Sequence, residues 1–391
     1  MSTSIDADRA LVTERLAELL AKHDPATTDP VTFLGAQYDL GLAWVHFENG
    51  YGGLGVSAKL QSIVDERLRE LNAPSPWGNF IGIAQSAAAI NAVGTKEQKA
   101  RFLRPAFTNE EMWCQLFSEP GAGSDLAGLS TSAVRDGDEW IVNGQKVWTS
   151  GAMRARWSIL LARTNPDVPK HRGLTFFVFD MKAPGVEIRP IRQADGGAHF
   201  NEVFLTDVRL PDSLRLGDVG QGWGISITGL SSEREGVAVA MESPMDQLLE
   251  IWNARDDKTS PMAVTYRDRL VKLWIDARLL ELSNLRAKAN QGKGGPGNEG
   301  SGGKVGRSRL NQRIGELAEA LLGAEGMLGG LYDLPDDQRR KVPQLNFVRS
   351  RANSIEGGTS EIMMNILGER VLGLPGDIRV DKELPWKQVP R

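Results

Sequence analysis

The sequence predicts an α+β fold in three parts: a helical N-terminal part, a central barrel or sandwich of strands, and a second helical part. Three observations predict it. Apolar residues recur at helical spacing through the first hundred residues and again beyond residue 222, whereas short strand-like runs alternate with turns in between. A chain of 391 residues is long enough for two or three domains at ~150 residues each. Its composition, 41% hydrophobic and 25% charged, is that of an ordinary globular protein rather than a disordered or fibrous one. The boundaries fall at 1–112, 113–221 and 222–391.

Leu11, Leu16, Leu19 and Leu20 form the first apolar stripe, and Leu60, Ile63, Val64, Leu68 and Leu71 the second, which ends at Asn72-Ala73-Pro74. The glycines at 50, 52, 53 and 55 mark a loop between them. Helices are expected near 80–93 and 95–107. After residue 112 the period changes. Asn143-Gly144, between two apolar runs, predicts a two-residue hairpin turn, preceded by another turn at Asp136-Gly137. Further strands are expected at Trp157 to Arg163, Leu174 to Asp180, Val186 to Ile191 and Asn201 to Leu210. Beyond residue 222, one stripe runs through Leu270, Leu273, Trp274, Ala277 and Leu280, and another through Leu310, Ile314, Leu317 and Leu321. The glycine-rich stretch from Gln291 to Gly306 reads as a flexible connection. A last helix containing Ile362, Ile366 and Leu367 is expected to start on Thr359 as N-cap.

Several function classes are disfavoured at once. Forty-six basic against fifty acidic side chains give a net charge of −4, with no global pull toward nucleic acid or an anionic membrane. A single cysteine, Cys114, rules out an intramolecular disulfide or a cysteine-cluster zinc site, and the four histidines are far apart. No apolar run approaches the ~20 residues of a membrane span. The first twenty residues are amphipathic and acidic, unlike a signal peptide, so a cytoplasmic protein is expected. The Gly-x-Gly-x-x-Gly at Gly292, Gly294 and Gly297 follows no strand and lies in the glycine-rich connection, which makes it a chance match.

Two segments concentrate the chemistry. Cys114 to Leu126 combines hydroxyls, a Pro-Gly turn and glycines at 121 and 123, where backbone N–H groups can approach a planar or anionic ligand; the same residues also suit a tight interdomain turn. In Asn143 to Gly151, a tryptophan followed by two hydroxyls and a glycine can wall a flat ring or simply close a hairpin core. Taken together, "SEPGAGSDLA" some 20 residues before "NGQKVWTSGA", with "YGGLG", "FNEVFLTDVRLP", "GQGWG" and "IEGGTSEIMMNILGERVLG" in the same order along nearly all of the chain, resemble the acyl-CoA dehydrogenase family of flavoproteins.

That resemblance implies a helical N-terminal domain, a central β-domain and a C-terminal four-helix bundle. It also implies a reaction in which a carboxylate removes the α-proton of an acyl-CoA thioester. The β-hydrogen passes as hydride to N5 of FAD, giving a trans-2-enoyl-CoA, and an electron-transfer flavoprotein reoxidises the cofactor. By the same resemblance Gln115, Leu116 and Phe117 lie along the flavin, Ser118 meets its pyrimidine edge, and Gly123 and Ser124 stand near the pyrophosphate or the CoA chain. Trp148 stacks on the ring system beside Thr149, and Ser150 faces N5. Thr359 and Glu361 contact FAD near its phosphates and adenosine. Arg234 and Gly357 lie on the substrate side.

Many family members carry the base immediately before the Gly-Thr of the last motif, where this chain has Gly357. A second arrangement places it in a Leu-x-x-Glu-Arg pattern on the first long helix after the β-domain, and Leu230 to Arg234 match it. Glu233 is therefore the first candidate and Glu356 the second. The family's Arg-x-x-Phe-Gly element is missing from Arg255 to Tyr266, and its Gln-x-x-Gly-Gly-x-Gly element is reduced to Leu321 to Gly326. Both normally complete the FAD site across subunits. A homo-oligomer, dimer or tetramer, is expected, with one subunit of a heteromeric steroid-type enzyme as the alternative. A flavin-dependent monooxygenase or oxidase on the same fold is the competing activity.

Overall fold

The computed structural model describes residues 2–230, 244–290, 300–328, 342–378 and 381–390. They form two compact units. One comprises residues 1–190, 200–236 and 381–391, and the other residues 191–199 and 237–380. These units follow packing rather than element type, because the N-terminal helices share a core with the β-domain.

The first unit opens with α1 (Ser2–Lys22), α2 (Pro30–Asp39), α3 (Gln61–Glu70), α4 (Ala87–Val93) and α5 (Lys96–Phe107). The expected stripes are the buried ones: Leu16 and Leu19 of α1 meet Leu60, Val64 and Leu68 around Phe33 and Leu42. A π-helical turn, Gly82–Ser86, precedes α4. Helix α5 starts on a reciprocal cap, with Thr95 accepting from the Gln98 N–H and Gln98 from the Thr95 N–H. The Gln98 amide then donates to the carbonyls of Ser213 and Arg215 at 2.8 and 2.9 Å, so one side chain both starts the helix and fastens it to the β-domain.

The strands are β1 (Trp113–Leu116), β2 (Ser132–Asp136), β3 (Glu139–Ser150), β4 (Trp157–Arg163), β5 (Leu174–Asp180), β6 (Val186–Ile191), β7 (Phe200–Pro211) and β8 (Arg215–Leu216). The sheet runs β6-β7-β3-β2-β4-β5-β8, with β1 parallel to β4. Alternation along β4 and β5 serves two cores. Ile159, Leu161, Phe176 and Val178 pack with Phe102, Phe107 and Ile90 of the helices. Leu160, Ala162, Phe177 and Phe179 pack with Trp140, Val203 and Leu205 inside the β-domain.

One expected turn is not there. Asn143-Gly144 lies inside the continuous strand β3, and the hairpin closes instead at Gly137, where φ is +62° and β2 pairs back onto β3 from Asp136 opposite Glu139. At Gly144 a Cβ would stand 2.3 Å from the Thr131 hydroxyl, and the register with β7 shifts between Val142 and Gly144. Asn143 exchanges hydrogen bonds with Asp207 at 3.0 and 2.9 Å. The dipeptide thus makes a bulge against a close neighbour rather than a turn. Residues 222–230 form helix α6, whose Trp223, Ile225 and Leu230 join the core shared by helices and sheet.

The second unit is a helical bundle of α7 (Pro244–Asn253), α8 (Pro261–Asn290), α9 (Gly300–Leu322), α10 (Pro343–Arg349) and α11 (Ser360–Ile366), with the other four packed around α9. Leu270 and Leu273 of α8 meet Leu310, Ile314, Leu317 and Leu321 of α9 as the stripes require, but Trp274 lies exposed. The expected flexible connection, Gln291 to Gly306, is helical over its last part. Residues 291–299 lie outside the described residues, while Gly300 to Gly306 are helical. The glycines serve contact here: a Cβ on Gly306 would come within 3.0 Å of Leu280, and one on Gly303 within 2.6 Å of Asn284. Close approach of α8 offsets the ~1 kcal/mol that each glycine costs a helix relative to alanine. Thr359 caps α11 as expected, its hydroxyl accepting from the Ile362 N–H at 3.2 Å. No described helix is long and apolar enough to cross a membrane.

Candidate functional site

Strand β1 and the loop after it carry the first group of candidates. Phe117 is buried edge-on against Phe176, and Gln115 is half-buried beside Gln85 of the π turn. Leu116 is wholly enclosed in the β-domain core, because strand alternation sends it to the face opposite Gln115. Its side chain cannot lie along a ligand, and only its backbone can reach one. After Ser118 the chain turns through Glu119 and Ala122, whose backbones exchange N–H···O bonds of 3.1 and 3.0 Å. Gly121 lies within this turn and Gly123 directly after it. Neither has a positive φ, and a Cβ built on either meets nothing within 4 Å. The fold itself does not demand glycine at these positions, and the open space in front of their backbone leaves room for close approach by another group. Ser124 is exposed beside them.

Strand β3 brings the second group alongside, through a 2.9 Å bond from the Val147 N–H to the Ser118 carbonyl. Between Lys146 and Thr149 its register with β7 shifts by one residue, and Trp148 sits in that bulge at φ +62° with 59% of its surface exposed. A bulky aromatic residue in the left-handed region is uncommon and strained. Phe200 braces it edge-on at 6.1 Å. Ser150 is exposed, two positions further on. Thr149 between them is buried, its carbonyl held by Asn201 at 2.9 Å, so its side chain faces away from the surface that Trp148 and Ser150 share.

Beneath this surface lies a pair that motif reading missed. Lys146 is completely buried, and its ammonium donates to the Phe117 carbonyl at 2.9 Å, the Leu161 carbonyl at 3.0 Å and the Glu119 carboxylate at 3.0 Å. Glu119 also accepts the N–H groups of Ser130 at 2.7 Å and Thr131 at 2.8 Å. Burial brings the ammonium down to about 8 against the opposing pull of Glu119. Burial also pushes Glu119 up, but the Lys146 charge and the backbone donors outweigh it and hold the carboxyl below its ordinary value. One buried ion pair therefore ties together β1, β3, β4 and the glycine loop. A signal existed: Trp140, Val142, Gly144 and Lys146 share one parity of β3, and a lysine on an inward parity requires a buried acid.

The remaining candidates divide in two. Glu233 and Arg234 lie outside the described residues. Those of the second unit lie together around the start of α11. Gly357 and Gly358 take φ of +62° and +91°, and the Gly358 carbonyl accepts from Lys304 at 2.6 Å. Thr359 and Glu361 follow in the cap and first turn. Glu356 is engaged by both terminal nitrogens of Arg349, at 3.2 and 2.7 Å, and by Asn353 at 2.8 Å. Three donors already occupy its two oxygens, an arrangement suited to fixing the turn into α11.

The N-terminal, middle and C-terminal domain models of acyl-CoA dehydrogenases match residues 4–110, 114–208 and 220–372. The chain belongs to the acyl-CoA dehydrogenase family. It is 39% identical over 340 residues to the acyl-CoA dehydrogenase FadE34 of Mycobacterium tuberculosis, covering 86% of this chain but only 45% of that relative. The chain thus spans about half the length of FadE34. Acyl-CoA dehydrogenase IpdE1 of the same organism is 35% identical over 343 residues, 87% of this chain and 86% of that one. Among solved structures, the ChsE4–ChsE5 complex from M. tuberculosis superposes with a TM-score of 0.71 at 28% identity, covering 96% of this chain and 98% of that one. A steroid acyl-CoA dehydrogenase, Tcur3481–Tcur3483, shares the fold at a TM-score of 0.73 and 24% identity, covering 95% of this chain and 98% of that one. An acyl-CoA dehydrogenase is an FAD-dependent oxidoreductase, and the open glycine loop beside an exposed, strained Trp148 fits a flat, diphosphate-bearing cofactor.

Proposed function

We propose that this chain oxidises an acyl-CoA thioester to the trans-2-enoyl-CoA with Glu233 as the base. Bound FAD supplies the hydride acceptor. Trp148 and Ser150 border the flavin, the backbone from Gly121 to Ser124 approaches its diphosphate or that of CoA, and Thr359 with Glu361 serves the adenosine end. Gln115, Phe117 and Ser118 border the ring from the β1 side. Glu233 takes the α-proton, and a carboxylate contributes ~10²–10⁴ in rate when held in a dry cleft near its proton. Arg234 and Gly357 stand on the substrate side. The observation that supports this reading most is the bulged Trp148 joined through Lys146 and Glu119 to a glycine loop with empty space before it.

Anaerobic mixing with a panel of linear and alicyclic acyl-CoA thioesters is expected to bleach the flavin absorbance in the absence of oxygen, which a monooxygenase or oxidase reading does not require. Glu233→Gln is expected to lower the rate of that bleaching by about 10³ while FAD stays bound. Glu356→Gln is expected to keep most of it. The reverse outcome moves the base to Glu356.

A second reading concerns assembly. The absence of the Arg-x-x-Phe-Gly element, the reduced Leu321 to Gly326 stretch and the likeness to a two-chain complex favour a partner subunit that completes the FAD site. An electron-transfer flavoprotein is the expected oxidant of the reduced enzyme.

A further inference from the structure

The family's C-terminal match ends at residue 372, yet residues 381–390 fold back onto the first unit beside the glycine loop. The Trp386 and Lys387 N–H groups donate to the carbonyls of Val168 and Pro166 at 2.9 and 3.1 Å, so the segment lies along the β4–β5 connection. Two of its side chains reach further. Asp381 accepts from Lys170 at 2.9 Å, and the same ammonium donates to Asp125 at 3.0 Å. The Trp386 indole N–H donates to the Gly128 carbonyl at 3.1 Å, while the ring lies 4.2 Å from the guanidinium of Arg163. Arg163 in turn is buried and donates to the carbonyls of Ala127, Leu129 and Lys170 at 2.6, 3.0 and 3.2 Å. The short turn Leu126–Gly128 is thus gripped at Asp125 and Gly128, directly after the open backbone of Gly121 to Ser124.

We propose that Lys170 and Trp386 are positioning residues for the cofactor loop: the C-terminal segment fixes its downstream end, and so sets where the Gly123 and Ser124 N–H groups stand toward the diphosphate of FAD. The proposal rests on the assignment of that loop to the cofactor. The physical reason is entropy. A loop with two glycines has many backbone states, and fixing its exit at two points removes most of them before the ligand arrives. Lys170 is well suited to the task, because it is largely buried and bridges two acids, one on the loop and one on the segment.

The test uses the protein in whichever assembly it binds flavin, stripped and then titrated with FAD. Lys170→Ala and Trp386→Ala are each expected to weaken FAD binding about tenfold, the effect of losing one charge-assisted or buried hydrogen bond. Lys170→Arg is expected to restore it, and Lys387→Ala, on the same segment but bonded to Asp167 rather than to the loop, to leave it unchanged. The urea midpoint is expected to move little. Parent-like FAD affinity in both alanine variants overturns the proposal and leaves the loop assignment standing. Equal losses of affinity and urea stability, without rescue by Lys170→Arg, also overturn it, since the segment then only supports the fold. A parent protein that takes up no FAD overturns the loop assignment and the proposal together.

Discussion

Lys146 carries a charge that nothing in the surrounding apolar core can solvate except the Glu119 carboxylate and the Phe117 and Leu161 carbonyls. Removing one partner of such a pair strands the other, and the cost is ~3–5 kcal/mol. Lys146→Met is accordingly expected to lose about that much in urea unfolding, and the double variant Lys146→Met/Glu119→Gln to recover a large part of it, since neither charge is then left alone. The pH dependence has a definite sign. The folded chain releases the Lys146 proton near pH 8, whereas an unfolded lysine holds it to about 10.5. Between those values the unfolded state binds more protons, so this group makes unfolding harder as pH rises. The urea midpoint gap between parent and Lys146→Met is therefore expected to widen from about pH 8 to about pH 10, and a constant gap contradicts the assignment. None of this pair was visible as a motif, although both residues lie inside motifs. Residue type and spacing along one strand do not reveal which two segments the sheet will bring face to face. The same holds for Asn79, buried between helices and sheet, whose amide bonds the Ala106 and Glu111 carbonyls and accepts the Trp113 N–H.

At the scale of elements, strands were legible where both faces are buried and the run is bounded by turn residues. Strands β4 and β5, buried on both faces, have the bounds that their composition implies, and so does the half-exposed β6. Asn143-Gly144 misled because glycine answers two needs, a tight turn and a close neighbour, and local sequence cannot tell them apart; only Thr131 across the sheet decides. The bulge at Trp148 was also beyond local reading, because it depends on the register that β3 takes against β7. A non-glycine residue held left-handed costs about 1–2 kcal/mol. With most of its surface exposed, Trp148 regains little of that by burial. Trp148→Asn, which tolerates this backbone, is expected to leave flavin-free protein at least as stable in thermal unfolding while weakening FAD binding by tenfold or more. A loss of stability with unchanged flavin affinity would make Trp148 an ordinary packing residue.

The whole molecule poses a question of covered surface. Helix α8 spans 30 residues, and its inner stripe is satisfied by α9. A second stripe, Val271, Trp274, Ile275, Leu279, Leu282 and Leu285, is about half exposed at each position and falls on one side of the helix. Apolar area of this extent on one helix face is the mark of an interface. In the assembly proposed above, in which a neighbouring chain completes the FAD site, another acyl-CoA dehydrogenase subunit is its proposed cover. If that holds, the chain produced alone runs as a homo-oligomer with little flavin, and coproduction with a partner subunit of the family yields a mixed assembly with FAD near stoichiometric level. Trp274→Glu with Leu282→Glu is expected to lower the measured mass by splitting the assembly, and to release flavin with it, since a site finished by a neighbour fails when the neighbour leaves. Flavin retained at full stoichiometry by the dissociated double variant would show that one chain is enough to hold the cofactor.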